Sequence, residues 1–134
     1  MSAWWRRIGL GILAWVVPFV VAVVVFPLRN SARPVFESVM AVTVAGTAVV
    51  FGLVYLRVAR SMGAREGLAV GAVWLVICVL IDAPLMLFGG PMQMSLGAYL
   101  GDIGLTYVTI PLVTSGLGAA FATGAGQRRD TASG

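Results

Sequence analysis

Four long apolar segments, separated by short connections that contain charged or turn-forming residues, account for most of this chain. A transmembrane helix needs about 20 predominantly apolar residues to cross a hydrocarbon core of about 30 Å. Residues 8–28, 35–56, 67–88 and 96–123 meet this requirement. We therefore predict an all-α polytopic membrane protein whose residues 8–124 form an antiparallel four-helix transmembrane bundle. Because the connections are short, we expect consecutive helices to be neighbours.

The composition supports the same class of protein. Of the 134 residues, 60% are hydrophobic and 10% are charged, whereas roughly 25% of the residues of a soluble domain are charged. The mean hydropathy of +0.99 leaves too little polar surface for a water-soluble globule, which excludes a soluble enzyme and a disordered chain. With no histidine and one cysteine, the chain lacks the usual metal sites and disulfide frameworks, and we predict no metal and no cofactor.

The arginines are distributed unevenly between the two ends of the predicted bundle. On one side they lie in the N-terminus (residues 1–7), the second connection and the tail: Arg6, Arg7, Arg57, Arg60, Arg65, Arg128 and Arg129. The other side has only Arg29 and Arg33. The positive-inside rule then predicts that both termini lie in the cytoplasm, in a multipass protein of the cell membrane. We expect residues 125–134 to form a flexible cytoplasmic tail, and no basic stripe indicates nucleic-acid binding.

Acidic residues in or near a membrane span require an explanation, because lipid-facing helix surface needs only apolar residues. Glu37, Glu66 and Asp102 lie in the first turns of predicted helices, where the helix dipole favours an acid. Asp82 lies well inside the third span, where an ionised carboxylate costs about 2.5–3.5 kcal/mol. Two interpretations stay open. It is either part of a cation or proton site beside the helix break at Pro84, or a packing residue hydrogen-bonded to a tyrosine or threonine.

Helical spacing groups polar residues at one end of the third and fourth spans. Steps of three and four place one set on a common face of the third span: Gly67, Gly71, Trp74, Cys78 and Asp82. The same spacing predicts a face of the fourth span: Tyr99, Asp102, Thr106, Thr109, Gly116 and Ala120. Because these spans are antiparallel, we expect Asp82 and Asp102 at similar depth. Within about 4–6 Å of each other the two aspartates would share a proton.

These positions together predict a polar, proton-titrating pocket in the outer half of the bundle. Its charged groups are three acids and two arginines: Glu37, Asp82, Asp102, Arg29 and Arg33. Its walls are Tyr99, Thr106 and Tyr107. The pocket is a candidate site for an ion, a proton or a polar solute.

Pairs of small residues four apart let helix backbones approach closely. Two such pairs are candidates for helix packing: Gly67 with Gly71, and Gly97 with Gly101. Near the span ends, residues 89–91 (Gly-Gly-Pro) are typical of a turn between the third and fourth helices. Met92 and Met94, which follow this turn, are predicted to form an apolar loop on the membrane. Tyr55 is expected at the lipid–water interface.

A sparse motif runs through the second half of the chain. Its residues are Glu66-Gly67, Gly71, Trp74, Asp82 and Met94, then Tyr99-x-x-Asp102-Ile103-Gly104-x-x-Tyr107-x-x-Ile110-Pro111-x-x-Thr114. In these residues the chain resembles a family of small, uncharacterised four-span prokaryotic membrane proteins, which the first half matches only in being hydrophobic. The resemblance implies the four-span topology and marks Asp82 and Asp102 as residues of potential functional importance. It implies no substrate.

Two functions from different classes are compatible with these features. The first is a small homo-oligomeric transporter or channel that uses the predicted pocket. The alternative is a non-catalytic structural or assembly subunit of a larger membrane complex, and sensing of a lipid or small ligand also stays open. We predict no enzymatic activity, because Ser95 and Ser115 have no base at a suitable spacing. The expected partners are the lipid bilayer and either further copies of this chain or another membrane protein.

Overall fold

The computed structural model describes residues 3–59, 63–88 and 93–134. Within these ranges the chain is helical almost throughout and contains no strand, which confirms the predicted all-α class. The elements are α1 (Ala3–Val25), α2 (Leu28–Ser31), α3 (Arg33–Ala59), α4 (Ala64–Leu87), α5 (Leu96–Tyr99), a π-helix (Leu100–Gly104) and α6 (Leu105–Ser133). Among the described residues, four helices are long and apolar enough to cross a membrane. The protein is therefore a multipass membrane protein whose apolar helices contact the lipid bilayer.

Several helix ends differ from the bounds of the predicted spans, and α1 begins at Ala3 rather than at residue 8. The first long helix ends at Val25 rather than at residue 28, because Phe26 and Pro27 form a turn before α2, and proline cannot donate to a helical ladder. At the other end, α6 continues to Ser133 instead of ending at residue 123, so the predicted tail is helical. Its alanine and arginine residues are strong helix formers. The 38-residue span that ends there is about 57 Å long and extends well beyond the hydrocarbon core.

The four long helices form a ring in the order α1, α3, α6, α4. The most extensive contact is between α4 and α6, while α1 packs against both α3 and α4, and α3 against α6. Helices α3 and α4 contact each other only sparingly. Consecutive helices are therefore neighbours for α1 with α3 and for α4 with α6, as expected, but the prediction is wrong for α3 with α4. These two lie diagonally opposite, and their connection, residues 60–62 with Arg60, lies outside the described residues.

Close glycine contacts bring α4 against α6. Gly67 and Gly71 lie against Thr114 and Pro111, and a Cβ added at Gly71 would lie 2.5 Å from the Pro111 Cα. No side chain fits there, so the two backbones meet directly. Gly97 and Gly101, the second predicted packing pair, make no such close contact, because a Cβ at either of them would have nothing within 4 Å. These two glycines therefore pack against no helix in the described part of the chain.

Helical spacing predicts the buried face of α4 correctly, but not that of α6. On α4 the predicted face is buried: Gly67, Gly71, Trp74, Cys78 and Asp82. On α6 the prediction is wrong, because the buried residues are Tyr107, Ile110, Thr114 and Gly118, whereas Asp102, Gly116 and Ala120 are exposed. A π-helix turn contains about one more residue than an α-turn. After Leu100–Gly104, Tyr107 and Ile110 are consequently buried in place of Thr106 and Thr109, one residue further along than uniform α-helical spacing predicts.

Candidate functional site

A cavity of about 100 Å³ lies at the end of the bundle where the chain passes from α1 to α3 and from α4 to α6. The lining includes residues of α1, α2, α3 and α4, the π-helix and α6. Its polar members are Arg29, Arg33, Glu37, Asp82, Asp102, Thr106 and Tyr107. Drug-sized ligands need roughly 300–1,000 Å³, which is several times this volume. The cavity therefore accommodates a small solute.

The structure brings together every residue of the predicted pocket except one. Tyr99 does not line the cavity. Its side chain is 2% exposed, and its hydroxyl has no hydrogen-bond partner among the described residues. The π-helix separates Tyr99 from the residues that follow it, so the face on which spacing grouped it with Asp102 and Thr106 does not exist.

Asp82 forms the buried floor of the cavity. Its side chain is 3% exposed, and the Tyr107 hydroxyl donates a hydrogen bond of 3.1 Å to its Oδ2. This is the tyrosine partner that the packing interpretation expects. Asp82 nevertheless borders the cavity, and the Trp15 side chain in the cavity wall is a second hydrogen-bond partner of its carboxyl group. The floor therefore presents a carboxylate that has two polar partners but forms no ion pair within the described part of the chain.

The rim of the cavity is a short network of ion pairs centred on Arg33. Its Nε donates to the Glu37 carboxylate at 2.7 Å, and its terminal nitrogen donates to Asp102 at 2.6 Å. The three side chains are 62%, 52% and 35% exposed, in that order, and exposed pairs of this kind contribute about 0–1 kcal/mol. Asp82 and Asp102 thus have different donors. The proton that the sequence analysis expects a close aspartate pair to share stays a prediction.

Aromatic and thioether side chains form the walls. Trp15 and Phe19 of α1 are stacked with their ring centroids 4.6 Å apart. The remaining walls are formed by Phe26, Phe36, Met40, Met86 and Met94, with Pro18, Ala22, Val44 and Ile103. Sequence reasoning missed the contribution of α1, although the i,i+4 spacing of Trp15 and Phe19 beside Pro18 was visible in the sequence.

The sequence predicts that Met94 lies in an apolar loop on the membrane, whereas the structure places it against α4 and the cavity. Its backbone N–H donates to the Met86 carbonyl at 2.8 Å, which holds Met94 against the end of α4. Met94 consequently becomes part of the cavity wall. Met92 and the turn predicted at residues 89–91 lie outside the described residues.

The opposite end of the bundle is held by a cluster of Arg7, Tyr55 and Glu66, which we call the Arg7 cluster. Arg7 donates to the Tyr55 hydroxyl oxygen at 2.7 Å and to the Glu66 carboxylate at 2.5 Å, and Tyr55 donates to Glu66 at 2.6 Å. The Trp74 indole N–H donates to the Arg7 carbonyl at 2.9 Å. The cluster links α1, α3 and α4. Tyr55 is 2% exposed, so its ring lies inside the bundle near the end of α3, and Glu66 pairs with a cation in addition to starting a helix.

Comparison of the chain with protein-family models, with curated proteins and with solved structures found no match. The family resemblance in the second half of the chain stays a prediction. A functional assignment therefore depends on the geometry of the cavity and of the Arg7 cluster.

Proposed function

We propose that this protein is a small transporter or channel that admits a solute through the cavity at one end of its bundle. The observation that supports the proposal is the position of Asp82. A carboxylate inside a membrane span is costly, and this one lies at the floor of a cavity whose rim of Arg33, Glu37 and Asp102 is exposed. A residue needed only for packing would be enclosed by protein atoms alone, whereas Asp82 is buried but also borders the cavity.

The proposed orientation places both termini in the cytoplasm of a cell-membrane protein. The end of the bundle with the Arg7 cluster also holds Arg57, Arg65 and the arginines of the tail, while Arg29 and Arg33 lie at the cavity end. Under the positive-inside rule the cavity then opens to the outside. The Arg7 cluster closes the cytoplasmic end, which corresponds to an outward-open state of a transporter.

We also propose that the protein acts as a homo-oligomer. Four helices enclose about 100 Å³ at one end, and the other end is filled by Trp74, Tyr55 and Leu56, each at most 2% exposed. A path through the membrane then requires rearrangement of the helices or a second copy of the chain. Gly97 and Gly101, which pack against nothing in the described chain, would allow a second copy to approach closely. No catalytic role is part of this proposal.

Replacing Asp82 by asparagine is expected to abolish ion flux. Asparagine keeps the size of the side chain and an acceptor for Tyr107, but it has neither the charge nor the exchangeable proton. The measurement uses proteoliposomes with an imposed potassium diffusion potential and an internal pH indicator, repeated with a sodium indicator. Wild-type protein should accelerate proton or cation entry, and Asp82→Asn should reduce the rate to that of empty liposomes.

Asp130→Asn is the matched control, because it makes the same chemical change on the exposed end of α6 and should leave flux unchanged. Equal flux through Asp82→Asn and wild type would contradict the proposal. Absence of any wild-type flux, together with recovery of a stoichiometric foreign subunit from gently solubilised membranes, would favour the alternative of a structural or assembly subunit.

A further inference from the structure

We propose that the cavity binds a small organic cation, an alkylated ammonium ion with a few carbon atoms. This inference rests on the proposed function, because it takes the cavity to be the solute site. It adds the chemical class of the solute, which follows from the charge, the walls and the size of the cavity.

The charge balance of the lining leaves one acid without a cation. The ionisable residues that line the cavity are Glu37, Asp82, Asp102, Arg29 and Arg33. These three acids outnumber the two arginines by one. Arg33 is bound by Glu37 and Asp102, whereas Arg29 and Asp82 form no ion pair with each other or with any other described residue, and Asp82 is 3% exposed. A buried carboxylate requires a positive partner or a proton. A ligand cation at the cavity floor supplies that partner.

The walls are suited to an alkylated cation. Aromatic ring faces attract cations through their quadrupole, and cages of such rings are a common means of binding quaternary ammonium groups. Trp15, which is stacked on Phe19 and is a hydrogen-bond partner of Asp82, and Tyr107, bonded to Asp82, bring two aromatic rings next to the carboxylate. The sulfur atoms of Met40, Met86 and Met94 add polarisable surface for alkyl groups.

A bare metal ion fits the same lining poorly. Hard cations such as calcium require six to eight oxygen ligands. Where the structure describes the chain, no group of three histidine, cysteine or acidic residues is arranged to hold a metal. The cavity floor offers the Asp82 carboxylate and the Tyr107 hydroxyl, and most of the remaining lining is apolar. One charged contact with an apolar surround is the environment that an alkylammonium ion needs.

The test uses three probes of nearly equal shape that differ in charge: tert-butylammonium, tert-butanol and pivalate. Each is titrated by calorimetry into the full-length protein in nanodiscs. We expect tert-butylammonium to bind at least about tenfold more tightly than tert-butanol, because a charge-assisted hydrogen bond is the stronger kind, and pivalate not to bind. Asp82→Asn should weaken binding of the cation roughly ten- to a hundredfold, and Asp130→Asn should not change it.

A second variant keeps the test decisive if Asp82→Asn does not fold. Trp15→Ala removes an aromatic ring from the wall and should weaken tert-butylammonium binding by a clearly larger factor than tert-butanol binding, because both probes lose apolar contact and the cation alone also loses its attraction to the ring. Equal binding of the cation and the alcohol, tighter binding of pivalate, or no binding of any probe would overturn the inference. Asp82-dependent flux without cation binding would remove the ligand class and leave the proposed function. Cation binding without any flux would leave the ligand class and contradict the proposed transport function.

Discussion

Replacing Gly71 by alanine should lower the free energy of unfolding by about 2–3 kcal/mol, a typical cost of overpacking a tight interface. The added Cβ would meet the Thr114 hydroxyl and the Cα of Pro111. Because Pro111 presents backbone there, and not the end of a flexible side chain, α4 and α6 would have to separate. The measurement is thermal or denaturant unfolding in a single detergent, followed by circular dichroism.

Gly116→Ala is the matched control for this prediction. Gly116 lies on α6, and a Cβ there would have nothing within 4 Å. Alanine favours a helix over glycine by about 1 kcal/mol, so the control should be neutral or slightly stabilising. Equal destabilisation by both substitutions would contradict the close packing of α4 on α6.

Glu66→Gln is expected to destabilise the protein by about 1–3 kcal/mol. The change leaves the Arg7 guanidinium, which is 25% exposed, without its carboxylate and removes the charged acceptor of the Tyr55 hydroxyl. Breaking a fully buried pair costs about 3–5 kcal/mol, and partial exposure reduces that figure. The same unfolding assay measures the effect.

Glu37→Gln makes the identical substitution in the exposed pair with Arg33. Its expected cost is about 0–1 kcal/mol. If Glu37→Gln were as damaging as Glu66→Gln, the Arg7 cluster would not be the element that holds α1, α3 and α4 together. The two ends of the bundle would then be equally rigid, which would not agree with a closed end opposite an open cavity.

The spans and the interior acids could be predicted from the sequence because the hydrocarbon core directly constrains which residue types a spanning helix contains. Segment length and hydropathy define each long helix, and an acid such as Asp82 in an apolar span is conspicuous. The face of α4 followed from uniform spacing because α4 is an uninterrupted α-helix from Ala64 to Leu87.

The register of α6, the order of the helices and the aromatic wall on α1 depend on tertiary contacts, which the spacing of residues in the sequence does not reveal. The π-helix shifts α6 by one residue, which buries Tyr107 and leaves Asp102 free to pair with Arg33. The ring order depends on Gly67 and Gly71 meeting α6. The aromatic wall on α1 was missed because Trp15 and its neighbours are equally suited to face lipid, and only the placement of α1 beside α4 turns them toward Asp82.

Site-directed thiol labelling tests most directly whether the cavity opens to the outside and holds the solute. Cys78 is the single cysteine and is buried, so Cys78→Ala provides a background without thiols into which Thr106→Cys places one in the cavity lining. A membrane-impermeant reagent added outside right-side-out vesicles should label this cysteine, and tert-butylammonium should slow the labelling. Labelling from the cytoplasmic side alone, or labelling that the cation does not slow, would contradict the account.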